Sequence, residues 1–311
     1  MTINSLLVYD NVLAADGKKR QLNLPDFQTE YKGIGISGTN IYWGLQGDNL
    51  TLGKGVGLQD AARAFLQTFV DAIPPNGVGT VDYGLQPNED LVGDAAYEDV
   101  LNRLDKIEDL AKDLNGFQQG LTDGRKLRIV VRFASEMNTG ANNKWSGVPD
   151  SFKKAWEKVY GTFKGVSEEF VMNFAPFVYV DSVVDGPGSD AISNYWPGVN
   201  LVDIVGCTWY AGSGNAVRPA KDNLDAYFGA FAGTGLPYAV SEMCGCCDRK
   251  TGRGKADVVQ SMFWHLINFD SKQPLNHVTF FLTDDWTPGK VDLGAVIGNP
   301  PKQADPCSAL P

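Results

Sequence analysis

The chain has 311 residues, 43% of them hydrophobic and 21% charged, the profile of a folded globular protein rather than a disordered one. A formal net charge of −10 argues against a phosphate-backbone ligand, which needs a Lys/Arg surface, so no nucleic-acid partner is expected. No apolar run reaches the length of a membrane span, only two His are available for a metal site or a Ser-His-Asp triad, and seven Trp suit flat ligands such as sugar rings.

In chain order, the first residues (MTINSLLVYDNVL) lack a basic n-region and hold only a short apolar stretch, so they do not read as a signal peptide. The protein is expected to be secreted with its signal peptide removed, a cytoplasmic location being the other reading. Residues 1–30 read as an N-terminal extension packing on a main domain that covers residues 31–298. Within that domain, short apolar runs alternate with amphipathic helices. Gly33–Ser37 (GIGIS) is a candidate strand, and another could lie near Asn40–Leu45. Phe65, Phe69 and Ile73 follow at i, i+4 and i+8, the spacing of a helix face. Gly79–Leu85 (GTVDYGL) reads as a strand, and Val100, Leu101, Leu104, Ile107 and Leu110 as one long helical stripe. Leu127–Phe133 (LRIVVRF) is a clear strand, and the stripe after it is Phe152, Ala155, Trp156, Val159, Tyr160 and Phe163. Strands at Phe170–Phe174 (FVMNF) and Leu201–Cys207 (LVDIVGC) precede a stripe of Leu224, Tyr227, Phe228 and Phe231. Pro237–Val240 (PYAV), a stripe of Val258, Val259, Met262, Phe263 and Leu266, and His277–Leu282 (HVTFFL) complete the series. Residues 299–311 form a Pro-rich tail.

These strands lack polar alternation, as parallel strands covered on both faces require. Five clear strands, two fair ones and one left unplaced make eight. Their alternation with helices predicts an α/β fold, a single (β/α)8 TIM barrel. A doubly wound sheet is the other arrangement, but no G-x-G-x-x-G follows a first strand. Five Cys are too few for a disulfide scaffold, and the odd count leaves at least one unpaired within the chain. Cys207 with Cys244, Cys246 and Cys247 could give zinc four thiolates, though without zinc-ribbon spacing; loop disulfides or free thiols are the plainer reading.

Catalytic groups in such a barrel come from the C-terminal ends of strands. RIVVRF runs into Ser135, Glu136 and Asn138, and PYAV into Ser241 and Glu242. VDIVGC runs into Trp209 and Tyr210, and HVTFFL into Asp284, Asp285 and Trp286. With HVTFFL as the eighth strand, Glu136 follows the fourth and Glu242 the seventh. Two carboxylates at one barrel mouth suit retaining glycoside hydrolysis. One, made a weaker acid by desolvation, protonates the leaving oxygen, and the other attacks the anomeric carbon from a carboxyl separation of about 5–5.5 Å.

The segment RFASEMN resembles the R-x-H-E-M-N segment of glycoside hydrolase family 26, a member of the clan A (β/α)8 hydrolases. The NNKW that follows, the helix SFKKAWEKVYGTF, the strand FVMNFAPF and the stretch YWPGVNLVDIVGCTWY look like the same family's succession. The likeness runs from about residue 127 to residue 286; the first 120 residues carry no matching motif. It implies Glu136 as acid/base, Glu242 as nucleophile and Tyr210 as hydrogen-bond donor to the nucleophile. Ser135 stands where the family has His, at a position that orients the acid or contacts the sugar. The substrate is therefore left open among β-mannan, β-glucan, xylan and bacterial exopolysaccharide.

Trp286 is expected to floor the sugar at the cleavage point, with Trp209, Trp145 and Trp43 as further subsites, against the alternative that a Trp packs in the core. Trp156 and Trp264 lie in helical stripes and belong with the core. Arg132 is expected to ion-pair inside the barrel mouth and hold a neighbouring carboxylate ionised, and Asp285 and Asp284 to meet sugar hydroxyls. Asn173, His265 and His277 read as structural. The expectation is a retaining β-glycoside hydrolase, endo-acting on a polysaccharide or oligosaccharide, with no metal, organic cofactor or membrane partner. Oligomeric state leaves no mark on the sequence. A non-catalytic carbohydrate-binding barrel, and a thiol- or zinc-dependent enzyme built on the Cys244–Cys247 loop, are the rivals.

Overall fold

The computed structural model describes residues 3–10, 12–13, 19–20, 36–46, 49–50, 60–139, 143–178, 191–210, 224–244, 263–266, 268 and 273–282. In chain order the elements are β1 (Ile3–Asp10), β2 (Val12–Leu13), β3 (Lys19–Arg20), β4 (Ile36–Gln46), β5 (Asn49–Leu50), α1 (Asp60–Asp71), β6 (Val78–Gln86), α2 (Asp94–Asn102), α3 (Leu104–Gln119), β7 (Lys126–Phe133), α4 (Pro149–Val166), β8 (Val171–Phe174), α5 (Ile192–Tyr195), β9 (Ile204–Tyr210), α6 (Ala226–Phe231), β10 (Tyr238–Cys244) and β11 (Leu275–Leu282). Strands β1, β4, β6, β7, β8, β9, β10 and β11 pair in parallel in that order, and β1 pairs with both β4 and β11. The sheet closes into a ring of eight, the (β/α)8 barrel that the alternation predicts. β5 folds back antiparallel on the end of β4.

Strand alternation divides the buried residues into two cores. Residues of one parity join the helix stripes in a large outer core, where α4 lays Phe152 and Trp156 against Phe133 of β7 and Phe174 of β8. The other parity faces the barrel axis, where Val130, Ile204 and Ala239 form a small separate cluster with Val171 packed against it. Above that cluster the axis is polar: Asp82, Arg132, Asn173, Thr208, Ser241, His277 and Thr279 are all buried there. Gly206 belongs to this inner set. A Cβ at that position would run into Asn173 Oδ1 and Ser241 Oγ, so the close approach of β8, β9 and β10 requires glycine.

Several boundaries differ from the sequence reading. The run Leu6-Leu7-Val8-Tyr9, set apart there in an extension, lies in β1 and is the first barrel strand. GIGIS and the unplaced run near Asn40–Leu45 meet in one strand, β4. The stripe Val100–Leu110 is two helices, because Arg103 takes φ −119° and ψ 24° and breaks the turn between α2 and α3. Phe263 and Leu266 are buried as expected, while Val258, Val259, Met262 and the tail 299–311 lie outside the described residues. Among the described residues, no helix is long and apolar enough to cross a membrane.

Candidate active site

Glu136 sits in the turn that follows β7, the fourth barrel strand. Two non-glycine residues of this turn, Ala134 (φ 47°) and Glu136 (φ 58°), are in the left-handed region, which costs an L-residue about 1–2 kcal/mol each. Neighbouring strands hold the strained backbone. Ala134 N–H donates to Leu85 O at the end of β6 (2.8 Å), and Glu136 N–H donates to Ala175 O beyond β8 (3.0 Å). The Glu136 carbonyl accepts from Thr139 Oγ1 at 2.9 Å and from Asn143 Nδ2 at 3.2 Å, and Asn143 Nδ2 also reaches the carboxylate, Oε2, at 3.4 Å.

Glu242 lies within β10, the seventh barrel strand, which continues past Val240 to Cys244. Val240 pairs with Cys207 and faces the outer core, so regular alternation would turn Glu242 outward as well. The register shifts between them: Glu242 pairs with Thr208, and Met243 with Trp209. This bulge at Ser241 re-aims the carboxylate toward the axis, a recognised use of bulges beside functional sites. Glu242 is 4% exposed, and its Oε1 accepts from Arg132 Nη1 of β7 at 2.5 Å.

The guanidinium is held on a second side. Arg132 Nε lies 3.5 Å from Asp82 Oδ1 of β6, and the other oxygen of Asp82 lies 3.2 Å from His277 Nε2 of β11. His277 Nδ1 is 3.1 Å from Asn276 Oδ1. Arg132, Asp82 and His277 are all fully buried.

Burial raises the Glu136 carboxyl above its ordinary range. The Arg132 charge, the Asn143 amide and, by proximity rather than a formed hydrogen bond, the Thr208 hydroxyl pull the other way. Burial pushes the Glu242 carboxyl up to about 8, and contact with Arg132 favours its anion against that cost. Arg132 therefore acts on both carboxyls, and Thr208, the register partner of Glu242, also influences Glu136.

The structure brings Glu136, Glu242, Arg132 and Ser135 to one end of the barrel. Ser135 is 2% exposed, and its Oγ accepts from Gln86 Nε2 at 2.8 Å, so Gln86 at the end of β6 braces the residue standing where the resembling family has His. Two expected subsites are corrected. Trp209 has the outward parity of Cys207, packs in the outer core and is 1% exposed. Trp145 is 5% exposed, and its Nε1 donates to Ser135 O at 3.2 Å, so it buttresses the Glu136 turn rather than offering a face to sugar. Trp43 and Tyr210 fall on β4 and β9 with side chains outside what is described, as for Cys244; Tyr210 shares the strand parity of Thr208. Trp286, Asp284, Asp285, Cys246 and Cys247 lie outside the described residues. Cys207 is buried in the outer core with its thiol pushed up by burial, facing away from the mouth. The sequence reading missed Asp82, Gln86 and Thr208, and took His277 as structural; a charged residue inside the apolar run GTVDYGL was the available signal.

No protein-family profile matches the chain, and no curated protein matches it. Solved structures do share its fold. A family 26 glycoside hydrolase of a Muricauda species superposes with a TM-score of 0.66 at 14% identity, over 99% of this chain and 90% of that one. A family 26 β-mannanase of Bacteroides ovatus gives 0.62 at 15% identity, over 95% and 87%. A family 5 broad-specificity endoglucanase of Clostridium longisporum gives 0.61 at 13% identity, over 95% of both. The family 26 likeness read from residues 127–286 thus extends, as a fold, over nearly the whole chain.

Proposed function

We propose that this protein is a divergent, family 26-like retaining β-glycoside hydrolase that cleaves within a polysaccharide, with Glu136 as acid/base and Glu242 as nucleophile. The observation that supports it most is the convergence on Arg132 of two carboxyls, the partly buried Glu136 after the fourth strand and the buried Glu242 of the seventh. In the first step Glu136 gives its proton to the leaving glycosidic oxygen as a Glu242 oxygen bonds the anomeric carbon and the C–O bond breaks. In the second, Glu136 takes a proton from water, which attacks the anomeric carbon and releases the Glu242 carboxylate. Burial raises both carboxyls, Glu242 to about 8; it makes Glu136 a weakened acid, while the guanidinium in contact with Glu242 favours the anion that attack requires. The steps use protein side chains and water alone.

Trp286, Tyr210, Trp43 and Asp285 are the proposed sugar contacts, with Ser135 and Gln86 shaping the wall beside the acid. The names of the structural neighbours make β-mannan and β-glucan the first substrates to try, followed by xylan and bacterial exopolysaccharide. Action on such polymers fits a secreted protein. The test is to size products on that panel for the wild type, Glu136→Ala and Glu242→Ala. Each substitution is expected to cut turnover by orders of magnitude. Full activity in either variant, or oligosaccharide binding by the wild type with no product, overturns the assignment.

A further inference from the structure

A buried chain of charges crosses the barrel behind Glu242, and only its last contact is explained by the chemistry above. Arg132 alone would neutralise Glu242. Asp82, a second fully buried acid 3.5 Å from Arg132 Nε, adds a charge that competes for the same cation. Burying an extra carboxylate is costly, and on charge alone it weakens the hold on Glu242. Its gain is geometric. A guanidinium is a rigid planar fork, so an ionic contact at Nε, short of a formed hydrogen bond, restrains its plane beside the hydrogen bond at Nη1. Asp82 is fixed in turn through its other oxygen by His277 Nε2 at 3.2 Å. Three strands, β6, β7 and β11, thus triangulate the cation that touches the carboxylate on β10.

We propose that Asp82 and His277 are positioning residues that clamp Arg132 so that its Nη1 stays on Glu242 and eases ionisation of that carboxyl. The proposal rests on the reading of Glu242 as nucleophile. The charged or titratable groups around Glu242 among the described residues are Arg132 from β7, Asp82 from β6, His277 from β11 and Glu136 from the turn after β7.

Asp82→Asn separates geometry from charge. If Asp82 acts only as a like charge, its removal makes Glu242 easier to ionise. If it acts as a clamp, its removal loosens Arg132 and makes Glu242 harder to ionise. Glu242 titration is read by pH-difference infrared spectroscopy against Glu242→Gln, which needs no substrate, and the acidic limb of kcat/KM is read in parallel. The expected result is an upward move of about one pH unit, a tenfold change in the ionisation constant, with kcat reduced about tenfold and KM within twofold. In an Arg132→Lys background the same substitution should cost less than twofold more. A downward or absent move, or a kcat loss that multiplies fully with that of Arg132→Lys, overturns the clamp. Should Asp82→Asn not fold, His277→Gln is expected to move the titration the same way by a smaller amount, and no movement overturns the proposal. Absence of turnover in the wild type would instead count against the glycosidase reading, while the infrared titration still decides the clamp.

Discussion

Replacing Arg132 by methionine keeps an unbranched apolar stem and removes the cation between Asp82 and Glu242. Arg132 is fully buried and makes contacts of 2.5 Å to Glu242 and 3.5 Å to Asp82, so both acids lose their neutralising partner. Removing one partner of a buried ion pair costs about 3–5 kcal/mol, because the charge left behind is uncompensated. Melting shifts run at roughly 2–4 °C per kcal/mol in domains of about 150–250 residues. At the lower end, suited to 311 residues, the expected loss is about 6–10 °C. The pH dependence carries the sharper information. Burial already pushes Glu242 up from 4.5 to about 8 with Arg132 in contact, and losing that cation raises it further. A carboxyl whose folded-state value lies above its unfolded value contributes stability when protonated and loses it as pH rises. Both proteins lose this contribution alike between pH 4.5 and about 8, so the melting gap between wild type and Arg132→Met should be level there and open above pH 8, where the wild-type carboxyl ionises beside Arg132 and the variant's does not. Calorimetric scans from below about pH 6 to above about pH 9 measure it. A gap that closes above pH 8, or that widens on acidification, would refute this account of the ion pair.

Three further outcomes follow from the geometry. As acid, Glu136 must hold its proton, so kcat/KM should fall on the alkaline side as it ionises from its raised value. Glu136→Ala, assayed on an aryl glycoside whose leaving group needs no proton, should lose that limb and keep the acidic one; persistence of the alkaline limb would assign it to another group. Ala134→Gly removes a Cβ at φ 47° and should leave stability unchanged or raise it by up to about 1 kcal/mol, so a clear drop in melting temperature would contradict the strained-turn description. Gly206→Ala puts a Cβ against Asn173 Oδ1 and Ser241 Oγ and should destabilise the barrel by about 1–3 kcal/mol in denaturant titrations, whereas a neutral result would mean the inner wall is looser than described.

Much of the barrel was legible because parallel strands buried on both faces leave short unbroken apolar runs, as in LRIVVRF and HVTFFL. Glu136 could be found for the same reason, since a carboxylate directly after such a run is conspicuous. Other features have no local signature. LLVY lies among polar residues near the chain start, and only its pairing with β4 and β11 makes it a barrel strand. The bulge at Ser241 is a register fact, created by the alignment of β10 on β9 rather than by the residues around Ser241 themselves. Asp82 and His277 meet across 195 residues of sequence, and nothing in either segment announces the other. Trp209 is a different case. Thr208 and Tyr210 share one parity and Cys207 and Trp209 the other, so once Thr208 faces the axis the indole must enter the outer core.

The central claim is that Glu242 attacks the anomeric carbon. A 2-deoxy-2-fluoro glycoside with a good leaving group, matched to the sugar found in the substrate panel, should form a glycosyl-enzyme slowly enough to trap. Peptide mass spectrometry of the labelled protein should then place one sugar on the peptide carrying Glu242, and the label should be missing in Glu242→Gln. A label on any other residue, or an inverted first-formed anomer with no covalent adduct, would contradict the account.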